Sequence, residues 1–171
     1  IANIYIVNNI SCNGYNDGAI TVDVTGGVGA FIYEWDDINY QTTQLAIGLT
    51  ADTFSVTVTD SVLCSVSSTI VVIEPPVIVI NSSVTDISCF NISDGIINSM
   101  TSGGTSPYVL SWVGPNNYSS NLDTIYDLGN GIYTLTITDG NSCIHDSMFI
   151  ITEPTPLSID LLVIHPLCYN D

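Results

Sequence analysis

Cys12, Asp17-Gly18, Gly26-Gly27 and Trp35 recur 77 residues later as Cys89, Asp94-Gly95, Gly103-Gly104 and Trp112. Two residues are then added, and the series resumes at an offset of 79. Leu49 answers Leu128, Phe54 answers Tyr133, Asp60 answers Asp139, Cys64 answers Cys143, and Glu74-Pro75 answers Glu153-Pro154. Matches in this number and order mean two copies of one unit, so each copy is expected to close its own core and stack end to end with the next. Each unit ends at a proline-bearing stretch, "IEPP" or "TEPTP", where lost ladder donors and extended backbone suit a short stiff linker. The boundaries read as unit one over residues 1–76, unit two over 77–156, and the start of a third over 157–171. The third reaches Cys168 and stops at "CYND", which predicts an excerpt of a longer array.

Within a unit the hydrophobic period is two. "AITVDVT" (19–25), "TFSVTVTD" (53–60), "STIVVIE" (68–74) and "IYTLTITD" (132–139) alternate apolar with small polar residues and are rich in Val, Ile, Thr and Tyr, the pattern of half-buried antiparallel strands. No stretch shows helical spacing. Asp-Gly at 17–18 and 94–95 lies between strands and predicts a tight hairpin, and the Gly pairs mark further turns. Six or seven short strands per unit around one Trp predict an all-β fold of tandem immunoglobulin-like antiparallel sandwiches.

The chain has no Lys and no Arg against 17 Asp and Glu, a formal charge of −17. Nothing can neutralise phosphates, so nucleic acid is excluded as a partner, and an anionic membrane surface would repel the chain. Lysine-based chemistry and Lys or Arg salt bridges are excluded with them. The greasiest stretch, "IVVIEPPVIVI" at 70–80, is interrupted by Glu74, Pro75 and Pro76, well short of the roughly 18 apolar residues of a membrane helix. No basic region precedes an apolar run at the amino end, so no signal peptide is visible.

The five cysteines occupy one early and one late position per unit, Cys168 being the early member of the third. The expected arrangement is one disulfide per repeat, Cys12 with Cys64 and Cys89 with Cys143, leaving Cys168 unpaired in this chain. Four cysteines nevertheless permit three connectivities. Each such bridge would close a loop of 52 to 54 residues, contributing about 4 kcal/mol on the chain-entropy account, and would imply an oxidising compartment. Free buried thiols are the alternative; zinc lacks a CxxC pair or a matched His.

Asp60 and Asp139 follow a strand and precede a cysteine by four residues. Turn capping is the expected role, with calcium ligation alongside Asp17 or Asp94 the alternative; no other cofactor and no further metal is expected. Trp35 and Trp112 are expected as core anchors, and Tyr15, Tyr40 and Tyr118 as loop aromatics better placed for a ligand. His145 and His165 are not matched in the other copies, and no Ser, His and acid set can be assembled in every unit, so no enzyme is expected.

"C-x4-DG", "GGTSPYVLSW", "GIYTLTITDGNSC" and "ITEP" together resemble the SprB repeat of very large cell-surface adhesins in gliding Bacteroidota, over both units and the beginning of the third. Unit two fits better; unit one has "GGVGAFIYEW", without a counterpart of Pro107, and carries Asp52 and Phe54 where unit two has Gly131 and Tyr133. The resemblance implies an extracellular filament exported by type IX secretion, attached to surfaces and moved along a Gram-negative cell for gliding. Its implied partners are neighbouring repeats of the same chain, external polysaccharide or other surfaces, and the gliding or secretion machinery. The same source would make Ser61, Thr124 and Ser147 acceptors in the Asp, Ser/Thr, aliphatic pattern of O-glycosylation. A carbohydrate- or protein-binding module, or an accessory repeat of an exported hydrolase, are the rival functions.

Overall fold

A computed structural model describes residues 1–162; Cys168, His165 and "CYND" lie outside the described residues. The strands form four antiparallel sheets, two per unit. In unit one, β1 (Ala2–Asn8), β2 (Gly18–Val24) and β4 (Leu45–Leu49) pair in the order β1-β2-β4, and β3 (Ile32–Trp35), β5 (Asp52–Thr59) and β6 (Ser65–Val72) in the order β3-β5-β6. In unit two, β7 (Val79–Thr85), β8 (Gly95–Ser102) and β11 (Thr124–Leu128) form β11-β8-β7. The facing sheet is β10-β9-β12-β13, from β9 (Val109–Gly114), β10 (Tyr118–Ser120), β12 (Gly131–Thr138) and β13 (Ile144–Ile151). The protein is thus all-β, two immunoglobulin-like sandwiches.

Alternation builds each core. Along β5, Phe54, Val56 and Val58 are buried while Ser55, Thr57 and Thr59 are half-exposed; along β12, Tyr133, Leu135 and Ile137 repeat the pattern against Thr134, Thr136 and Thr138. A strand sends successive side chains to opposite faces, so the Val, Ile and Leu set goes inward and the Thr set covers the outside. Trp35 and Trp112 are buried in the two cores. Each indole N–H is satisfied by an equivalent carbonyl, Thr43 O at 2.8 Å and Leu122 O at 3.0 Å, as a buried indole requires. Truncating Trp112 to Ala should cost about 4 kcal/mol, read as a fall in the thermal midpoint.

The two residues added in unit two fall in the hairpin between β9 and β10, where Asn116 and Asn117 take left-handed φ of 54° and 61°. The matching span of unit one is instead knit by Asp37, only 2% exposed. Its carboxylate accepts from Gln41 N at 2.8 Å, Asn39 N at 3.0 Å and Gln41 Nε2 at 3.0 Å. Burial raises its pKa, and the donors from Gln41 and Asn39 outweigh it, so the group stays below the ordinary carboxylate range.

The Asp-Gly pairs are not tight hairpins. β1 and β2 are joined by a loop of nine residues, 9–17, and Gly18 and Gly95 are already the first residues of β2 and β8. Neither has a positive φ. They are glycine because of packing: a Cβ on Gly18 would lie 2.9 Å from Leu49 O and from Ile10 Cδ1, and one on Gly95 2.9 Å from Leu128 O and from Ile151 Cγ2. The preceding aspartates close the loop, Asp17 accepting from Ser11 N and Asp94 from Ser88 N, each at 3.0 Å. The serine hydroxyl and backbone N–H hold both carboxyl groups below their usual range.

Candidate functional site at the junction of the two units

Each sandwich has two unlike ends. At one end the loop after β1 folds against the last residues of β6: Ile10 N donates to Ile73 O at 3.1 Å, Gly14 N to a Glu74 carboxylate oxygen at 2.6 Å, and Asn13 Nδ2 to Pro75 O at 3.1 Å. Unit two repeats the arrangement, Ile87 N donating to Thr152 O at 3.1 Å and Asn91 N to the Glu153 carboxylate. At the other end lie the glycine pair and the turn that carries the late cysteine. Cys12 and Cys64 therefore sit at opposite ends of β6, whose eight residues span about 25 Å at ~3.3 Å per residue. A disulfide needs Cα atoms about 4.4–6.8 Å apart. The expected bridges Cys12–Cys64 and Cys89–Cys143 are for this reason not formed.

The bridge that does form joins the units. Cys12 of unit one is bonded to Cys143 of unit two, with Cα atoms 5.7 Å apart across 131 residues of sequence. Both half-cystines are buried within the core cluster of unit two. Cys64 and Cys89 are free and exposed.

Asp139 builds the receiving turn. It is 5% exposed, and its carboxylate accepts from Thr105 N at 2.8 Å, Asn141 N at 2.8 Å and Cys143 N at 2.9 Å. Burial raises its pKa, but the N–H groups of Thr105, Cys143 and Asn141 favour the charged form more strongly, and the net shift is downward. Asp60 does the same in unit one, accepting from Cys64 N at 2.9 Å, Val62 N at 3.0 Å and Val28 N at 3.1 Å. There the Cys64 N–H is the leading cause of a lowered pKa. Ser142, at φ +68°, completes the turn, and Asn141 Nδ2 reaches across to Ser11 O at 2.9 Å.

The linker seats in the glycine pair. Gly104 N donates to Pro76 O at 2.7 Å. Gly103 has φ +76°, and a Cβ there would lie 1.9 Å from Val77 O, so only glycine lets the linker lie flat. Gly26, its counterpart in unit one, has φ +83° with open space over it. Gly103→Ala should therefore lower stability well beyond Gly26→Ala, whose cost is confined to the left-handed backbone, about 1–2 kcal/mol. Thermal melts of the two variants check this; equal losses would remove the steric role of Gly103.

Of the residues singled out as surface aromatics, Tyr15 and Tyr40 are exposed, Tyr15 at the junction. Tyr118 is not a loop residue: it lies in β10 with its ring edge-on to Tyr133, centroids 5.4 Å apart. Ser61 Oγ donates to Val28 O at 2.5 Å and Thr124 Oγ1 accepts from Asn98 Nδ2 at 2.6 Å. The linkage between units and the Asp37 network are what sequence reasoning missed. The first is signalled by the early cysteine lying beside its unit's own outgoing linker, the second by nothing repeated, since unit two has Gly114 at that position.

Residues 4–39 match the family model described as the SprB repeat. The matched SprB stretch runs from β1 past Trp35 and includes Cys12. No curated protein matches the chain. Among solved structures, one described as the structural basis for Dscam isoform specificity aligns at 10% identity and a TM-score of 0.35, over 73% of this chain and 38% of that one. Murine CEACAM1b aligns at 12% identity and a TM-score of 0.34, over 90% of this chain and 100% of that one. The chain thus spans well under half of the Dscam chain it resembles.

Proposed function

We propose that this chain is a non-catalytic structural segment of an extracellular filamentous adhesin that serves gliding at the surface of a Gram-negative bacterium. The observation that carries this reading is the Cys12–Cys143 bridge, which ties the outgoing end of one sandwich into the core of the next. A covalent link across a joint resists separation of the units and bending of the linker, and it needs an oxidising compartment. The SprB match over residues 4–39 is in keeping with such a surface protein. Its partners in this reading are neighbouring repeats and an external surface, with type IX secretion as the route out; no cofactor takes part. With no cationic side chain and a charge of −17, neighbouring filaments repel at low salt.

Antibody raised against the chain should label intact, unpermeabilised cells of the source bacterium and arrest their movement over glass. Labelling that appears only after permeabilisation overturns the reading; labelling without arrest removes gliding and leaves a static surface filament.

A further inference from the structure

The closed junction takes a loop from one unit and a turn from the next, and both elements belong to the repeat, so each unit carries both halves. The Cys64 turn is built as the Cys143 turn is. Asp60 accepts three backbone N–H groups where Asp139 accepts three, and Leu63 and Ser142 share a φ of +68°. The Cys89 loop is likewise built as the Cys12 loop is, closed by Asp94 on Ser88 N as Asp17 closes on Ser11 N.

A hollow of about 210 Å³ beside Cys64 is lined by Ile1, Gly27, Asp60 and Val66. The closed junction has its equivalent, about 220 Å³, lined by Ile78, Gly104, Asp139 and His145 together with Asn13 and Tyr15 from the inserted loop. The two free ends also present apolar side chains. Val62, 58% exposed, stands at the position of Asn141, and Phe90, 50% exposed, at that of Asn13.

We propose that the bridge is a repeating staple, and that Cys64 and Cys89 are the two halves of the same joint presented at opposite ends of this segment. The hollow beside Cys64 receives the Cys12-type loop of another unit, and Cys89 enters the Cys143-type turn of another. The occupant in each case is a further copy of the unit. Closing one joint turns two thiols into a disulfide, the two protons and two electrons passing to a small-molecule disulfide that leaves as two thiols. This deepens the filament reading and rests on it for its setting, but the test reads thiol pairing rather than surface location. It can therefore fail while the antibody experiment succeeds.

The full chain carrying Cys168→Ser is compared with that chain also carrying Cys64→Ser or Cys89→Ser, each incubated with oxidised and reduced glutathione and read on non-reducing gels and by peptide mapping. The parent should form a ladder of covalent oligomers through Cys64–Cys89. Each single variant should lose the ladder entirely and stay monomeric, whereas an equimolar mixture of the two should give a dimer that dithiothreitol dissolves. Three results overturn the staple: homodimers of a single variant as abundant as dimers in the mixture, a mixture that stays monomeric, or Cys64 joined to Cys89 within one molecule. In the chain with Cys168 restored, a Cys89–Cys168 peptide would overturn it as well.

Discussion

Pulled by its ends, the oxidised chain should stop extending far short of its full length, and adding a reductant should release about 450 Å more. The bridge spans 131 residues of sequence, and an extended chain gains ~3.4 Å per residue. While the bond holds, force entering at the amino end passes through β1 to Cys12, crosses the sulfur atoms, and leaves from Cys143 through β13, so the backbone between the two cysteines is shielded and only these two outer strands carry the load. Single-molecule extension with and without dithiothreitol checks this, and Cys12→Ser should behave as the reduced wild type does. A short oxidised contour that reductant leaves unchanged would contradict the linkage. At equilibrium the same closure should stabilise the folded chain by about 5 kcal/mol on the loop-entropy account, and its loss should let the two sandwiches melt independently.

Asp139→Ala should cost about 3 kcal/mol, since it strands three backbone N–H groups around a charge-assisted site. In a domain of this size that lowers the thermal midpoint by on the order of 15 °C. The pH dependence has a definite sign. The folded pKa lies below the ordinary value of about 3.9. The stabilisation is therefore complete above the unfolded pKa and is lost as pH falls through the folded one. Because protonation also relieves self-repulsion across the chain, the measurement is the difference between wild type and Asp139→Asn. The amide keeps one acceptor oxygen but turns a donor toward Thr105 N. That difference should be constant from pH 7 to about pH 5 and shrink below pH 4; a gap that widens in acid would refute the role assigned to the carboxylate.

The strands were legible because the alternation in "TFSVTVT" and "IYTLTIT" is enforced by burial on one face, which nothing elsewhere in the chain overrides. The positions of the joint's cysteines were legible in the same way, from the doubled sequence. Their pairing was not, because membership of a unit says nothing about which end of a sandwich a residue occupies. Once β6 separates Cys12 from Cys64 by its whole length, the nearest sulfur is in the next unit. Asp-Gly misled for a related reason: the pair reads as a turn by composition, whereas Gly18 and Gly95 are small because Leu49 and Leu128 carbonyls press on them. The Asp37 network was invisible because a buried acid present in one copy leaves no periodic trace.

A protease that severs the backbone anywhere between Cys12 and Cys143 releases nothing. The two fragments stay tied through sulfur, and the cut ends are still held by their sheets. Exposed loops such as the one around Ile38, 91% exposed, can thus be nicked in a hostile medium without shedding whatever lies beyond them. Digested material should run intact until its disulfides are reduced.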